Sequence, residues 1–250
     1  MNFGALIIGD EILLGKRQDK HFPFLVAALA KRGLRLAYCE YLADDPPRIT
    51  AALSRTFASG EAVFSFGGIG ATPDDHTRAC AAAAAGVSLA LHPEAEREIR
   101  GRFGADTTPN RLAMGEFPCG AQIIPNPVNR IPGFSLGEHH FVPGFPQMAW
   151  PMIEHVLDTR YAHLADAKRL GEASVYVFEA AESQLADLMY GIEARFPGLK
   201  VFSLPSMGVD GSRRHIELGV RGAPAAVEHA IAEMRAEIAR RGFPLRGTLA

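Results

Sequence analysis

From residue 3 to residue 157 short apolar runs alternate with stretches of helical spacing. Residues 3–8 (FGALII) read as a buried strand that stops at Gly9-Asp10. Residues 62–66 (AVFSF) are apolar apart from Ser65, as expected of a parallel strand covered on both faces. A further strand is expected at 34–42. Residues 21–32 (HFPFLVAALAKR) carry apolar positions at helical spacing and end on Gly33, and Asp44-Asp45-Pro46-Pro47 opens a helix to 57 with proline in its first turn. After a loop at 67–74, an alanine-rich helix runs to Gly86, then a strand at 87–91 and a helix at 93–103. Pro109, Pro118, Pro125, Pro127, Pro132 and Pro143 interrupt the next stretch, which leaves loops with short strands near 121–124 and 140–142 before a helix at 146–157. This alternation predicts βαβ units around a mostly parallel sheet.

Residues 160–171 read as a linker. Beyond them the order is strand 173–179, helix 183–196, strands 199–204 and 215–220, and helix 223–241, a split βαβ pattern that suggests a small ferredoxin-like α+β domain. The expected domains are therefore 1–160 and 172–250.

Composition narrows the function class. With 48% hydrophobic and 22% charged residues, the chain is neither disordered nor fibrous. A net charge of −2 leaves no electrostatic footprint for nucleic acid or an anionic membrane, so neither is expected as a partner. No uncharged run approaches the roughly 18 to 20 residues that span a bilayer, and the start lacks a basic leader, so a cytoplasmic location is the expectation. Cys39, Cys80 and Cys119 are scattered and odd in number, which suits buried thiols better than a disulfide frame or zinc site.

In an open parallel sheet, ligands bind outside the carboxyl ends of the strands. Three predicted strands end in Gly9-Asp10-Glu11, in Asp44-Asp45 and in GGIGATPDD at 67–75, so glycine and paired acids recur at one edge. Gly67, Gly68 and Gly70 let backbone amides approach an anion, and the helix start that follows favours negative charge. Asp74 and Asp75 would repel a bare phosphate, and a Mg²⁺ bridging carboxylate and phosphate resolves that conflict. Thr72-Pro73-Asp74-Asp75 is equally a capping box for the next helix, and Asp44-Asp45 fits turn and cap chemistry. Pro143-Gly144-Phe145-Pro146 also follows a strand, where Gly144 allows close backbone approach. Gly9 to Lys16 lacks P-loop spacing, and Glu138-His139-His140 lacks a metal-binding spacing, because adjacent strand residues point to opposite faces.

These pieces, with Gly15, Asn126-Pro127 and Gln147-Met148, come in the order found in the molybdopterin-binding (MoCF) domain family, and the chain resembles in particular the amino-terminal part of the CinA-like competence/damage-inducible proteins. It departs from them at Asn129-Arg130-Ile131-Pro132-Gly133 and at Gln147, and no amidohydrolase domain follows, so nicotinamide-mononucleotide deamidation is not expected. The resemblance implies a three-layer αβα MogA-like domain that binds a phosphorylated pterin (molybdopterin) or a nucleotide at the 67–75 loop. It also implies Mg²⁺-dependent phosphoanhydride chemistry of the ADP-ribose pyrophosphatase kind, and self-association, since family members form dimers or trimers. On this reading Gly9, Gly67, Gly68, Gly70, Thr72, Pro143 and Gly144 bind the ligand. Asp10, Asp74 and Asp75 hold the metal, with Asp10 and Asp75 as catalytic carboxylates. The alternative is a non-catalytic pterin- or nucleotide-binding module.

Overall fold

The structure is a computed structural model and describes residues 1–166, 171–208 and 213–247. The chain forms two compact units, Met1–Ala165 and Asp166–Ala250. Of the segment expected as a linker, Arg160 ends a helix, Gly171 begins a strand, and 167–170 lie outside the described residues.

In chain order the first unit comprises β1 (Phe3–Ile8), α1 (Asp10–Leu13), α2 (His21–Ala30), β2 (Leu36–Leu42), α3 (Pro46–Ser59), β3 (Ala62–Phe66) and α4 (Thr77–Ala85). It continues with β4 (Leu89–Leu91), α5 (Pro93–Phe103), α6 (Pro109–Ala113), β5 (Glu116–Pro118), β6 (Gln122–Ile124), β7 (Gly133–Leu136), β8 (His139–Val142) and α7 (Pro146–Arg160). Six strands make one sheet in the order β2-β1-β3-β8-β7-β6. The first four are mutually parallel, and β7 and β6 add antiparallel.

The two-residue period of β1 divides the core. Phe3, Ala5 and Ile7 pack with Leu25 and Leu29 of α2 and Met152 and Leu157 of α7, whereas Leu6 and Ile8 pack with Ile49 and Leu53 of α3 and Ala81 of α4. Helices thus cover both faces, giving the three-layer α/β architecture. Register pairs Ile8 with Leu42, Ile7 with Phe66 and Phe66 with Val142, so the parallel strands all finish at one edge.

The second unit comprises β9 (Gly171–Phe178), α8 (Ala186–Arg195), β10 (Lys200–Ser206), β11 (His215–Gly222), α9 (Pro224–Arg240) and β12 (Leu245–Gly247). Its antiparallel sheet has the order β10-β11-β9-β12. Val175, Val177 and Leu218 pack with Leu188 and Ile192 of α8 and with Met234 and Ile238 of α9. This is a ferredoxin-like arrangement, with β12 supplying the strand that the pattern did not predict.

The sequence misplaces the start of α4, expected just after residue 74, and gives no sign of α6, β5 or β7. No helix among the described residues is long and apolar enough to cross a membrane.

Candidate functional site

Backbone geometry builds the site at the shared edge. The Gly67 amide donates to the Val142 carbonyl (3.0 Å), and the Gly9 amide to the Leu42 carbonyl (3.0 Å), so each strand hands over to its loop while still tied to its neighbour. Gly67 has φ +99°, and a Cβ there would press against the Ile8 carbonyl oxygen. A Cβ on Gly144 would lie 3.5 Å from the Gly67 Cα. Gly9, Gly67 and Gly144, with Pro143, therefore converge where β1, β3 and β8 end. Gly67 contributes shape here and not a free donor, because its amide is already used.

The loop 67–75 folds differently from a helix start. Asp75 turns back, accepting from the Gly70 amide (2.8 Å), the Thr72 amide (2.8 Å) and the Thr72 hydroxyl (2.5 Å). The space a Gly70 Cβ would take is filled by this carboxylate. Helix α4 starts only at Thr77, and its first residue ties to the loop through Thr77 N to the Gly68 carbonyl (2.9 Å) and Thr77 Oγ1 to the Gly67 carbonyl (3.0 Å). The expected capping box is thus a self-closed loop. A short polar side chain satisfies nearby amides, which competes with helix capping and wins here. Thr72 is neither a helix cap nor a free hydroxyl donor. Among the described residues, the amides of Gly68 and Ala71 make no hydrogen bond and remain available as donors.

The acids form a second feature. Asp10 and Asp44 bond reciprocally, the Asp10 amide to Asp44 Oδ2 (2.9 Å) and the Asp44 amide to Asp10 Oδ1 (3.2 Å). Burial pushes the Asp44 carboxyl up from its ordinary value, and the charges of Asp10, Asp74 and Glu11 push it further, outweighing the Asp10 amide. Asp74 is held low by the Thr72 hydroxyl beside it. Glu11 has Arg17 at 3.9 Å, but Asp10, Asp44 and Asp74 form no ion pair among the described residues. No three His, Cys, Asp or Glu side chains among those residues form a ready-made metal site.

Two side chains at this edge escaped the sequence reading. His21, at the first turn of α2, places Nε2 3.1 Å from the Gly144 carbonyl and stacks on Phe66 at 4.5 Å, which braces the Gly144 turn from inside. Arg78, the second residue of α4, donates to the Gly70 carbonyl (2.6 Å) and to the Ala113 carbonyl. Neither has a spacing that marks it in the sequence.

The altered segment after Asn126 closes on itself: Asn126 Nδ2 donates to the Ile131 carbonyl (2.9 Å), and Arg130 pairs with Glu98 (2.9 Å). His139 and His140 are core residues on opposite faces, bonded to Thr56 and to Ser135 and Tyr161, with burial depressing them to about 4 and about 3.

Comparison with known proteins bears on the family and the fold. The family described as "Probable molybdopterin binding domain" matches residues 4–163. A CinA-like protein of Anaeromyxobacter dehalogenans is 37% identical over 58% of this chain and 38% of its own length. One from Geobacter metallireducens is 32% identical over 80% of this chain and 51% of its own. The chain thus spans about half the length of these curated relatives or less. The crystal structure of the protein CinA, of unknown function, from Thermoplasma acidophilum is similar with a TM-score of 0.58 and 27% identity, covering 63% of this chain and 98% of that one.

Proposed function

Because the chain belongs to the molybdopterin-binding (MoCF) domain family and is CinA-like, we propose that its strand-end cleft binds a phosphorylated pterin or a nucleotide and performs Mg²⁺-dependent phosphoanhydride chemistry on it. The observation that carries this reading is the placement of unpaired acids beside free loop amides. Gly68 and Ala71 offer donors for a phosphate, and Asp10, Asp44 and Asp74 leave negative charge that a cation would relieve.

The donor set fits Mg²⁺ in a particular way. Mg²⁺ is commonly held by one or two carboxylates together with substrate phosphates and water, and needs no all-protein cage. Asp10 and Asp74 are the carboxylates assigned to it. Asp75, expected as a metal ligand, spends its oxygens on the Gly70 and Thr72 amides, which flank the free Ala71 amide. A bound Mg²⁺ would neutralise charge on the phosphoanhydride oxygens. The protein's own contribution is positioning: Gly144 and Gly67 set the width of the cleft, His21 fixes the Gly144 turn, and the loop amides orient the phosphate. Self-association in a cytoplasmic setting belongs to the same proposal, on the strength of the family resemblance.

A second reading, binding without turnover, rests on the departure at Asn129-Arg130-Ile131-Pro132-Gly133, a segment that closes on itself through the Asn126 side chain and the Ile131 carbonyl. Calorimetry with ADP-ribose separates the two. Wild type is expected to bind at least about tenfold more tightly with Mg²⁺ than in EDTA, and to hydrolyse the phosphoanhydride with water to AMP and ribose 5-phosphate. Asp10→Asn, which keeps the bond to the Asp44 amide, is expected to lose that difference. Equal affinity with and without Mg²⁺ removes the metal role and leaves the binding module.

A further inference from the structure

Arg78 is a buried cation without an anion. It is 9% exposed, it forms no ion pair among the described residues, and its Nε is buried without a hydrogen-bond partner. Asp75 and Glu116 act on it only through their fields. Taking a guanidinium out of water is costly unless an opposite charge and full hydrogen bonding repay it, and a guanidinium stays charged at any physiological pH.

What it touches explains where the missing anion belongs. Arg78 donates to the Gly70 carbonyl at 2.6 Å. That carbonyl shares one planar peptide group with the Ala71 amide, and in a trans peptide the C=O and N–H point in opposite directions. The chain has no cis peptide bond among the described residues. With the guanidinium on the carbonyl side, the Ala71 N–H faces away from it. This amide makes no hydrogen bond there, and Ala71 is partly exposed. Asp75 accepts from the amides on either side of this peptide, those of Gly70 and Thr72, at 2.8 Å each, so the peptide is fixed from both ends. Hydrogen bonding at a carbonyl polarises the amide and strengthens its N–H as a donor.

We propose that Arg78 is the positioning residue of an anion subsite: it aims and polarises the Ala71 amide and places a fixed positive charge behind it for a phosphate or pyrophosphate group of the ligand. The subsite rests on the anion-binding reading given above but does not require a metal. It assigns recognition of the phosphate to the protein, and leaves Mg²⁺ to neutralise the remaining charge.

The test is a titration of the ¹⁵N-labelled full chain with inorganic pyrophosphate, in EDTA and with Mg²⁺. In EDTA the Ala71 amide resonance of wild type is expected to move downfield with saturation. Arg78→Lys, which keeps the charge, should bind within about threefold of wild type, and Arg78→Met should bind at least about tenfold more weakly. Wild-type affinity in Arg78→Met, or binding with an unmoved Ala71 amide, overturns the proposal. If Arg78→Met does not fold, the wild-type Ala71 shift and the Arg78→Lys affinity decide it. Binding only with Mg²⁺ and with Ala71 unmoved defeats this inference alone. No binding in either condition defeats the anion-binding reading as well.

Discussion

The two units use charge in opposite ways. On the helices of the second unit, Arg241 donates to both Asp187 oxygens (2.7 and 2.6 Å) and to Glu237 (2.8 Å), Arg240 shares the same Glu237 (2.7 Å), and Arg195 pairs with Glu233. The donated bonds from Arg241 hold Asp187 at about 2, and those from Arg240 and then Arg241 hold Glu237 at about 2. At the strand-end edge of the first unit, Asp10, Asp44 and Asp74 form no ion pair among the described residues, and neither does the buried Arg78, which Asp75 and Glu116 reach only through their fields. The first unit does pair its charges where only packing is at stake, as Arg32 does with Asp158 (2.6 Å) and Glu154. Charges that serve folding are matched where they stand. On the proposed reading, acids and a cation that the fold brings to one edge and leaves without ion pairs mark a place where a ligand completes the balance.

The comparison can be broken most forcefully at the glycines. Gly67→Ala would force a left-handed φ on a side chain and drive its Cβ into the Ile8 carbonyl. The expected cost is about 3 kcal/mol or more in thermal unfolding, with loss of ADP-ribose binding. Gly219→Ala in β11 would meet the Phe202 ring and the Ala173 carbonyl. It should cost about 1–3 kcal/mol and leave binding alone. If both variants lost ligand equally, the ligand edge would extend beyond the first unit.

Asp75→Asn comes next. The carboxylate accepts three hydrogen bonds, and an amide presents two N–H groups on one side, so at least one loop donor meets another donor. Stability should fall by about 1–3 kcal/mol, with weaker pyrophosphate binding in EDTA as well as with Mg²⁺. A loss confined to the Mg²⁺ condition would return Asp75 to the metal.

What was legible in the sequence follows from how local each signal is. β1 and β3 announce themselves as apolar runs, and the helix expected at 93–103 is α5 itself, because their patterns are intrinsic to the segment. The strands β5, β7 and β12 are three or four residues long and exist only through their partners, so no periodicity marks them. The glycine-acid loop was readable as a site, but its internal wiring was not. Thr72-Pro73-Asp74-Asp75 spells a helix cap and a folded-back turn with the same letters, and the geometry of Gly70 decides between them. Arg78 sits before a run of alanines and reads as one more solvated helix charge. Only the tertiary approach of α6 and the loop buries it.

Asp44 and the paired acids of the second unit contribute to stability with opposite pH dependence. Asp44 has its folded-state value raised, so the folded protein takes up the proton before the unfolded chain does. Its contribution therefore grows as pH falls from neutrality toward the ordinary carboxylate range and shrinks as pH rises. Asp187 and Glu237 are lowered, so their contribution is present above about pH 4 and is lost as pH falls toward 2. Trp150, the single tryptophan, lies in α7 and reports on the first unit. Between about pH 7 and pH 4 the depressed His139 and His140 make the first unit less stable as pH falls, so Trp150 fluorescence during denaturant unfolding should show a smaller loss in wild type than in Asp44→Asn. An identical pH profile in the two proteins would mean that the acids at this edge do not repel one another.

The smallest effect is expected from Asp187→Asn. Its carboxylate is 70% exposed on the side-chain scale, and its partner Arg241 keeps Glu237 and the Gln184 carbonyl after the substitution. Exposed ion pairs gain little in water, because solvent screens them and holding two long side chains costs entropy. The unfolding midpoint should move less than for either glycine variant, and the residual shift should vanish in high salt. ADP-ribose and pyrophosphate binding should match wild type with and without Mg²⁺, in contrast to Asp10→Asn, where the charge removed has no ion-pair partner among the described residues. A marked loss of affinity in Asp187→Asn would show that a paired surface charge of the second unit takes part in ligand binding. The division between matched charges for folding and unmatched charges for function would then fail.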